Sequence, residues 1–330
     1  TLDRLGFKSE GTNLNLRYQN NTIIADSLFG IKYNLSNFDL NKYGFNHVTS
    51  EKTIGLYQNN NASQLAILTD GIYNNIDFTV NTLDNQTSLL NTLSGLNLTY
   101  FKRAPSQLFD KDAKSLNQRV ASNSNKDFVT ITYQVIAPPH SQLYVSIPNI
   151  SWSDDNNHSL SITVNGMTKN QVTDNTFDFF DLGYFETESM VTIKLSFPGN
   201  KAISFDNPSF YALDTQNYQI AMDTINERDS KVTTSKNKVF VDYSSKTNAS
   251  LFFTIPYDKG WTATINHKKV KIQRAQKGFM KVDVPSGKGK VVLTFIPYGL
   301  KTGSLISLLA SIIFCCYAYF IRKTTIIQKS

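Results

Sequence analysis

The sequence predicts a mainly β protein carried on one C-terminal transmembrane helix. Three observations predict it. Runs rich in β-branched and aromatic residues recur along the chain with turn residues between them. One of these runs, Leu160-Ser-Ile-Thr-Val164, meets Asn165-Gly166, the strongest short hairpin signal. Near the end, Ser304 to Ile321 gives eighteen residues without a charge, close to the lower limit for crossing about 30 Å of hydrocarbon as a helix. The expected order is a mixed α/β part over 1–115, a jelly-roll-like β-sandwich over 116–213, and a helix plus a small basic membrane-proximal β module over 214–300. The transmembrane helix follows over 301–323, with a cytoplasmic tail over 324–330.

The elements are expected as follows. Ala25 to Gly30 reads as a short helical turn ended by glycine. Residues 31–35, 53–57 and 65–68 read as short strands. Residues 85–101 form the best early helix, because Leu89, Leu93 and Leu96 share a face. In the middle, residues 128–136, 142–147, 160–164, 176–182 and 190–197 are strands, and their regular spacing indicates a β-sandwich. Residues 217–228 read as a helix with Tyr218, Ala221, Met222 and Ile225 on one side. Residues 237–297 are again β. Strands 261–265 and 269–273 flank Asn266-His267-Lys268, and strands 279–284 and 290–296 close the sheet, with Gly287 and Gly289 supplying the turn between them.

The composition narrows the class. The chain has 330 residues, of which 40% are hydrophobic and 18% charged, so it can bury enough apolar surface to order itself. Two cysteines, both inside the apolar stretch, exclude a disulfide scaffold. The net charge of +7 is modest, and no aromatic–basic motif points to nucleic acid. Sequons such as Asn61-Ala62-Ser63 arise by chance in so asparagine-rich a chain.

Lys301 precedes the apolar stretch, and Arg322, Lys323 and Lys329 follow it. The positive-inside rule then expects the C-terminus in the cytoplasm and residues 1 to about 300 outside the cell membrane. Thr1 opens without a basic-then-apolar leader. The reading therefore expects the C-terminal piece of a longer protein whose other part inserts in the membrane.

Three patches carry a resemblance. They are Ala25-Asp-Ser-Leu-Phe-Gly-Ile-Lys-Tyr33; Gly55-Leu-Tyr57 through Leu65-Ala-Ile-Leu68 and the helix from Asn85; and Ile255-Pro-Tyr-Asp-Lys-Gly-Trp261 with Gly278-Phe279-Met280 and Pro297-Tyr-Gly-Leu-Lys301. Together they resemble the C-terminal region of the YfhO family, multispanning membrane proteins of mainly Gram-positive bacteria. The resemblance implies a polytopic glycosyltransferase that uses polyprenyl-phosphate sugars and decorates cell-wall polymers such as lipoteichoic acid. It also implies a catalytic carboxylate in an early loop outside this chain, so no catalytic residue is assigned here.

The residues themselves offer binding chemistry more than catalysis. His47, His140, His158 and His267 have no metal-site spacing, and no metal or cofactor is expected. Asp154-Asp155-Asn156-Asn157 is a polar loop of a kind that can hold Ca²⁺. Asp110-Lys111-Asp112 and Asp178…Asp181 are weak acid/base pairs. Trp152, Asp154, Asp155 and Tyr184 are the candidate carbohydrate contacts, since sugars stack on aromatic rings while polar groups take their hydroxyls. Residues 256–301 carry ten Lys/Arg against two acids, a net of +8. Lys268, Lys269, Lys271, Arg274 and Lys277 are therefore the candidate contacts to a polyanion or the membrane surface. Lysine also guards edge strands against pairing.

The expected partners are membrane lipid, an anionic cell-wall polymer and the membrane part of the same protein. Two further readings compete: a membrane-anchored carbohydrate-binding or adhesion module without enzyme activity, and a structural spacer.

Overall fold

The structure, a computed structural model, describes residues 2–10, 15–17, 21–111, 128–152, 158–173, 179–198 and 203–327. Two β-sandwiches, each of two facing antiparallel sheets, flank a layer of helices. In the first sandwich the five-stranded sheet runs Met167–Thr173, His158–Val164, Ser189–Pro198, Phe128–Ala137, Ser106–Lys111. Its four-stranded partner runs Phe179–Phe185, Ser141–Ser146, Ser209–Asp214, Phe101–Arg103. Ile131, Val135, Ile193 and Leu195 from one sheet meet Leu143, Val145, Phe180 and Phe210 from the other in one core. Each such side chain contributes about 1.5–3 kcal/mol by leaving water.

The second sandwich repeats the plan. Its five-stranded sheet runs Ser230–Ser235, Lys238–Ser245, Gly287–Phe295, Trp261–Ile265, Lys268–Val270. Its four-stranded sheet runs Gln273–Ala275, Phe279–Val284, Ala249–Phe253, Ala66–Leu68. Val241, Leu293 and Ala263 face Leu251, Phe253 and Met280 across the core.

Between the sandwiches lie helices α1 (Ile23–Leu28), α2 (Thr82–Ser94) and α3 (Thr215–Asn226), with a three-stranded sheet ordered Tyr33–Ser36, Ile54–Asn59, Phe45–Glu51. The helices start where side chains take the orphan amides. Thr22 accepts from Ala25, Asn81 from Leu83 and Asp84, and Asp214 from Gln216 and Asn217. The layer's core joins Leu90, Leu93, Tyr218 and Met222 to Tyr144 and Leu213 of one four-stranded sheet, and to Ile67, Phe252 and Phe279 of the other. Both four-stranded sheets are thus covered on both faces. This explains why Ser141–Ser146 and Ala249–Phe253 are buried at every residue, while Lys238–Ser245 and Ser189–Pro198 alternate.

Several expectations change. The helix expected to reach residue 101 stops at Ser94, because Gly95 adopts a left-handed conformation (φ 78°) that ends it. The strand expected over 269–273 is two strands in different sheets, Lys268–Val270 and Gln273–Ala275. The first sandwich takes Phe101–Arg103 and Ser106–Lys111 from before residue 116. The second takes Ala66–Leu68 from the N-terminal part.

At the C-terminus, Leu300–Ile327 forms helix α4, of which Leu300–Ile321 is long and apolar enough to cross a membrane. None of that window is buried against the rest of the chain. Ser311 Oγ donates to the Ser307 carbonyl at 2.8 Å, so this hydroxyl is satisfied within the helix.

Candidate functional site

The basic residues gather at one lateral edge of the second sandwich. Lys268–Val270 is the edge strand of the five-stranded sheet, and Gln273–Ala275 is the edge strand of the four-stranded sheet. The chain passes from one sheet to the other through Lys271 and Ile272. Lys268, Lys269, Lys271, Arg274 and Lys277 are all exposed along this run. The Arg274 guanidinium lies 4.4 Å from the Tyr257 ring centroid, a stacking contact that orients it outward. Asn266 and His267 hold positive φ (47° and 69°) in the two-residue hairpin that carries Lys268.

Two other lysines counted in the +8 are not free surface charges. Lys281 is only 8% exposed. It points into the helical layer, donates to the Tyr73 carbonyl at 2.7 Å and pairs with Asp283 at 3.1 Å. Burial raises the Asp283 pKa, but hydrogen bonds from Ser250, Lys281 and Gln273 outweigh it and leave it below the usual carboxylate range. Lys290 pairs with Asp242 at 3.4 Å. The opposite edge of the sandwich is closed by Gln64, which donates to the Ser230 carbonyl at 3.1 Å and accepts from the Val232 amide at 2.7 Å.

The candidate carbohydrate residues separate. Trp152 is 3% exposed and packs 6.4 Å from Phe197 in the first sandwich core, so its ring has no face open to a sugar. This corrects the sequence expectation. The physical reason is that the short pairing of Ser151–Trp152 with Ile203–Ser204 turns the indole inward. Asp154, Asp155 and the rest of that loop lie outside the described residues, as do Asp112 and Asp178 of the weak acid/base pairs.

Tyr184 is half-buried and stands in a cluster that the sequence did not reveal. Its hydroxyl bonds to Glu186, and its ring lies 5.0 Å from the Tyr43 ring. Asn41 Nδ2 donates to the Tyr184 carbonyl at 3.1 Å, and Glu186 pairs with His140 Nδ1 at 3.2 Å. Burial first, then the Glu186 carboxylate, push the Tyr184 hydroxyl up to about 12. Nothing local in the sequence links residues 41–43 to 184, so this cluster depends on the loop before Phe45 docking on the Phe179–Phe185 strand, where the Tyr184 amide donates to the Asn41 carbonyl at 3.2 Å.

Behind the two tyrosines lies a buried charge group. Asp26 on α1 is fully buried and ion-paired with Lys42. Burial raises the Asp26 pKa to about 6 against the lowering effect of Lys42, and Asp181 raises it further. Asp181, also raised chiefly by burial, accepts from Gln142 at 2.7 Å and from the Gly183 amide at 2.8 Å. Ser27 and Tyr218 share a hydrogen bond of 2.6 Å, and the Ile23 amide donates to the Tyr144 hydroxyl at 3.0 Å. These bonds pin α1, and with it the Ala25–Tyr33 patch, between α3 and the first sandwich. Among the described residues, no group of three or more metal-ligating side chains gathers.

A two-sandwich β assembly that ends in an exposed apolar helix long enough to cross a membrane fits the class of membrane proteins. The chain belongs to the YfhO family: the family model described as bacterial membrane protein YfhO matches residues 1–307. The protein YfhO of Bacillus subtilis (strain 168) is 26% identical over 141 residues, which is 40% of this chain and 16% of that protein's length. The match therefore spans less than a fifth of that relative. Among solved structures, a Paenibacillus cycloisomaltooligosaccharide glucanotransferase aligns at 7% identity over 62% of this chain and 49% of its own, with a TM-score of 0.26. A conserved protein of Pseudomonas aeruginosa PAO1 aligns at 10% identity over 60% and 92%, with a TM-score of 0.16. Neither likeness is close enough to bear on function.

Proposed function

We propose that residues 1 to about 300 are the extracytoplasmic C-terminal region of a glycosyltransferase-like membrane protein. In this reading they hold an anionic cell-wall polymer of the lipoteichoic acid type beside the membrane while sugar is transferred from a polyprenyl-phosphate donor. The transfer chemistry belongs to a part of the protein beyond this chain. The observation that carries the reading is the exposed edge bearing Lys268, Lys269, Lys271, Arg274 and Lys277, on the sandwich joined to α4 by only Ile296–Gly299. A polyphosphate chain lying along that edge would meet successive cations. The half-open cluster of Tyr43, Tyr184 and Asn41 supplies rings and an amide suited to sugar units.

The test is binding of the full chain, in neutral detergent, to purified lipoteichoic acid at two salt concentrations. Affinity is expected to fall with salt and to drop in a variant carrying Lys268→Gln, Lys271→Gln, Arg274→Gln and Lys277→Gln. Unchanged binding in that variant would sink the electrostatic reading. Deleting the gene and analysing the wall polymer tests the enzyme: unaltered sugar content with altered surface adherence would favour the adhesion module instead.

A further inference from the structure

A groove of about 390 Å³ opens where the second sandwich meets α4, within the size range of small-ligand sites. Its walls are the Lys259–Gly260 turn, the strand carrying Thr262 and Thr264, Lys269 of the neighbouring hairpin strand, and the segment from Ile296 to Lys301. Three of its lining residues, Lys259, Lys269 and Lys301, are cations, and none is a carboxylate. Among the described residues, none of the three lysines is ion-paired. Asp258 stands next to the groove, but its Oδ1 accepts from the Gly260 amide at 2.6 Å.

The walls are fixed by the backbone. The Ile296 amide donates to the Gly260 carbonyl at 3.0 Å. A Cβ at residue 260 would lie 2.3 Å from the Ile296 carbonyl oxygen, so only glycine permits this approach. The Lys259 ammonium sits 5.7 Å from the Tyr298 ring centroid, across the groove mouth. Tyr298 is 80% exposed, and the apolar span begins two residues later at Leu300. With α4 in a bilayer, the mouth lies at the depth of the lipid headgroups, where tyrosine and lysine collect.

We propose that this groove binds the phosphate of an anionic lipid headgroup from the bilayer that α4 enters. Three lysines and no carboxylate among the lining residues favour a phosphate diester over a neutral solute. The positive end of α4 adds to the same field. The site rests on the membrane helix and the groove, independently of the polymer reading, and it uses lysines that are mostly distinct from the exposed edge.

The experiment is native mass spectrometry of the full chain in a neutral detergent, titrated separately with phosphatidylglycerol and phosphatidylcholine. One phosphatidylglycerol should be retained in preference to phosphatidylcholine. The triple variant Lys259→Gln, Lys269→Gln, Lys301→Gln should lose about tenfold or more of that retention. A control triple, Lys268→Gln, Lys271→Gln, Lys277→Gln, removes the same charge outside the groove and should retain the lipid. Lys301→Gln alone, which lies outside the sheets, should weaken retention severalfold and guards against misfolding of the triple. Equal loss in both triples would overturn the groove in favour of bulk charge, as would equal retention of the two lipids. Displacement by glycerol 3-phosphate at the lipid's own concentration would overturn the lipid assignment, since phosphate alone would then suffice.

Discussion

The two sandwiches share a plan and differ in what they show to solvent. Each pairs a five-stranded with a four-stranded sheet, and each turns the outer face of its four-stranded sheet to the helical layer. The first packs its large rings inward: Trp152, Phe197 and Phe205 sit in its core, with Phe197 and Phe205 stacked at 5.1 Å. The second has a core made mostly of aliphatic side chains, with Phe253 and Tyr243 its buried rings, and carries its distinction on one edge and one groove. In the proposed reading, recognition belongs to the turns and edge strands of a common frame, not to the frame itself.

If that contrast is right, Trp152→Ala should act as a core truncation. It should lower stability by about 3–5 kcal/mol, read by unfolding, and leave polymer affinity of the folded protein unchanged. Reduced affinity with full stability would break the comparison.

Lys42→Met should rank beside it, at about 3–5 kcal/mol at neutral pH, because it strands a buried carboxylate. The Asp26 pKa is raised above its unfolded value, so the native state binds the extra proton between about 4 and 6. The contribution of Asp26 to stability is therefore greatest below that window and declines as pH rises through it. Removing Lys42 should steepen that decline, and adding Asp26→Asn should flatten it. Unfolding curves at pH 4.5 and 7.5 decide the matter.

Arg228→Met should cost less, about 2–3 kcal/mol. Its guanidinium donates to the carbonyls of Leu68, Leu93 and Ser94, tying the end of α2 to the second sandwich. The smallest expected effect is Lys268→Gln with Lys271→Gln. Stability should stay within about 0.5 kcal/mol, while salt-dependent polymer binding weakens. A large loss of stability there would mean that these lysines are structural.

Much of this was legible from local signals. The apolar run from Ser304 to Ile321, the Asn165-Gly166 hairpin and the hairpin tip around Asn266-His267-Lys268 each declare themselves within a few residues. The pairing of Ala66–Leu68 with Leu251–Phe253, and of Phe101–Arg103 with Tyr211–Leu213, left no trace, because partners so far apart in sequence share no pattern. Lys281 read as surface charge, yet it lies between Met280 and Val282 in a strand covered on both faces, where its partner Asp283 neutralises it. The basic edge was legible as composition. The groove was not, since Lys259, Lys269 and Lys301 come to line one groove only in the folded chain, where Gly260 approaches Ile296.

The strand Ala66–Leu68 has a consequence for how the chain acquires its structure. The second sandwich cannot close until a segment made early meets one made more than 180 residues later, since the Ser250 amide bonds to Thr69 across 181 positions. Contacts of such span are slow to form. Until they do, the strand Ala249–Phe253, buried at every residue in the finished fold, presents an open edge that invites pairing with another chain. A fragment beginning after residue 100 would keep that edge open permanently, and it should aggregate where the full chain does not.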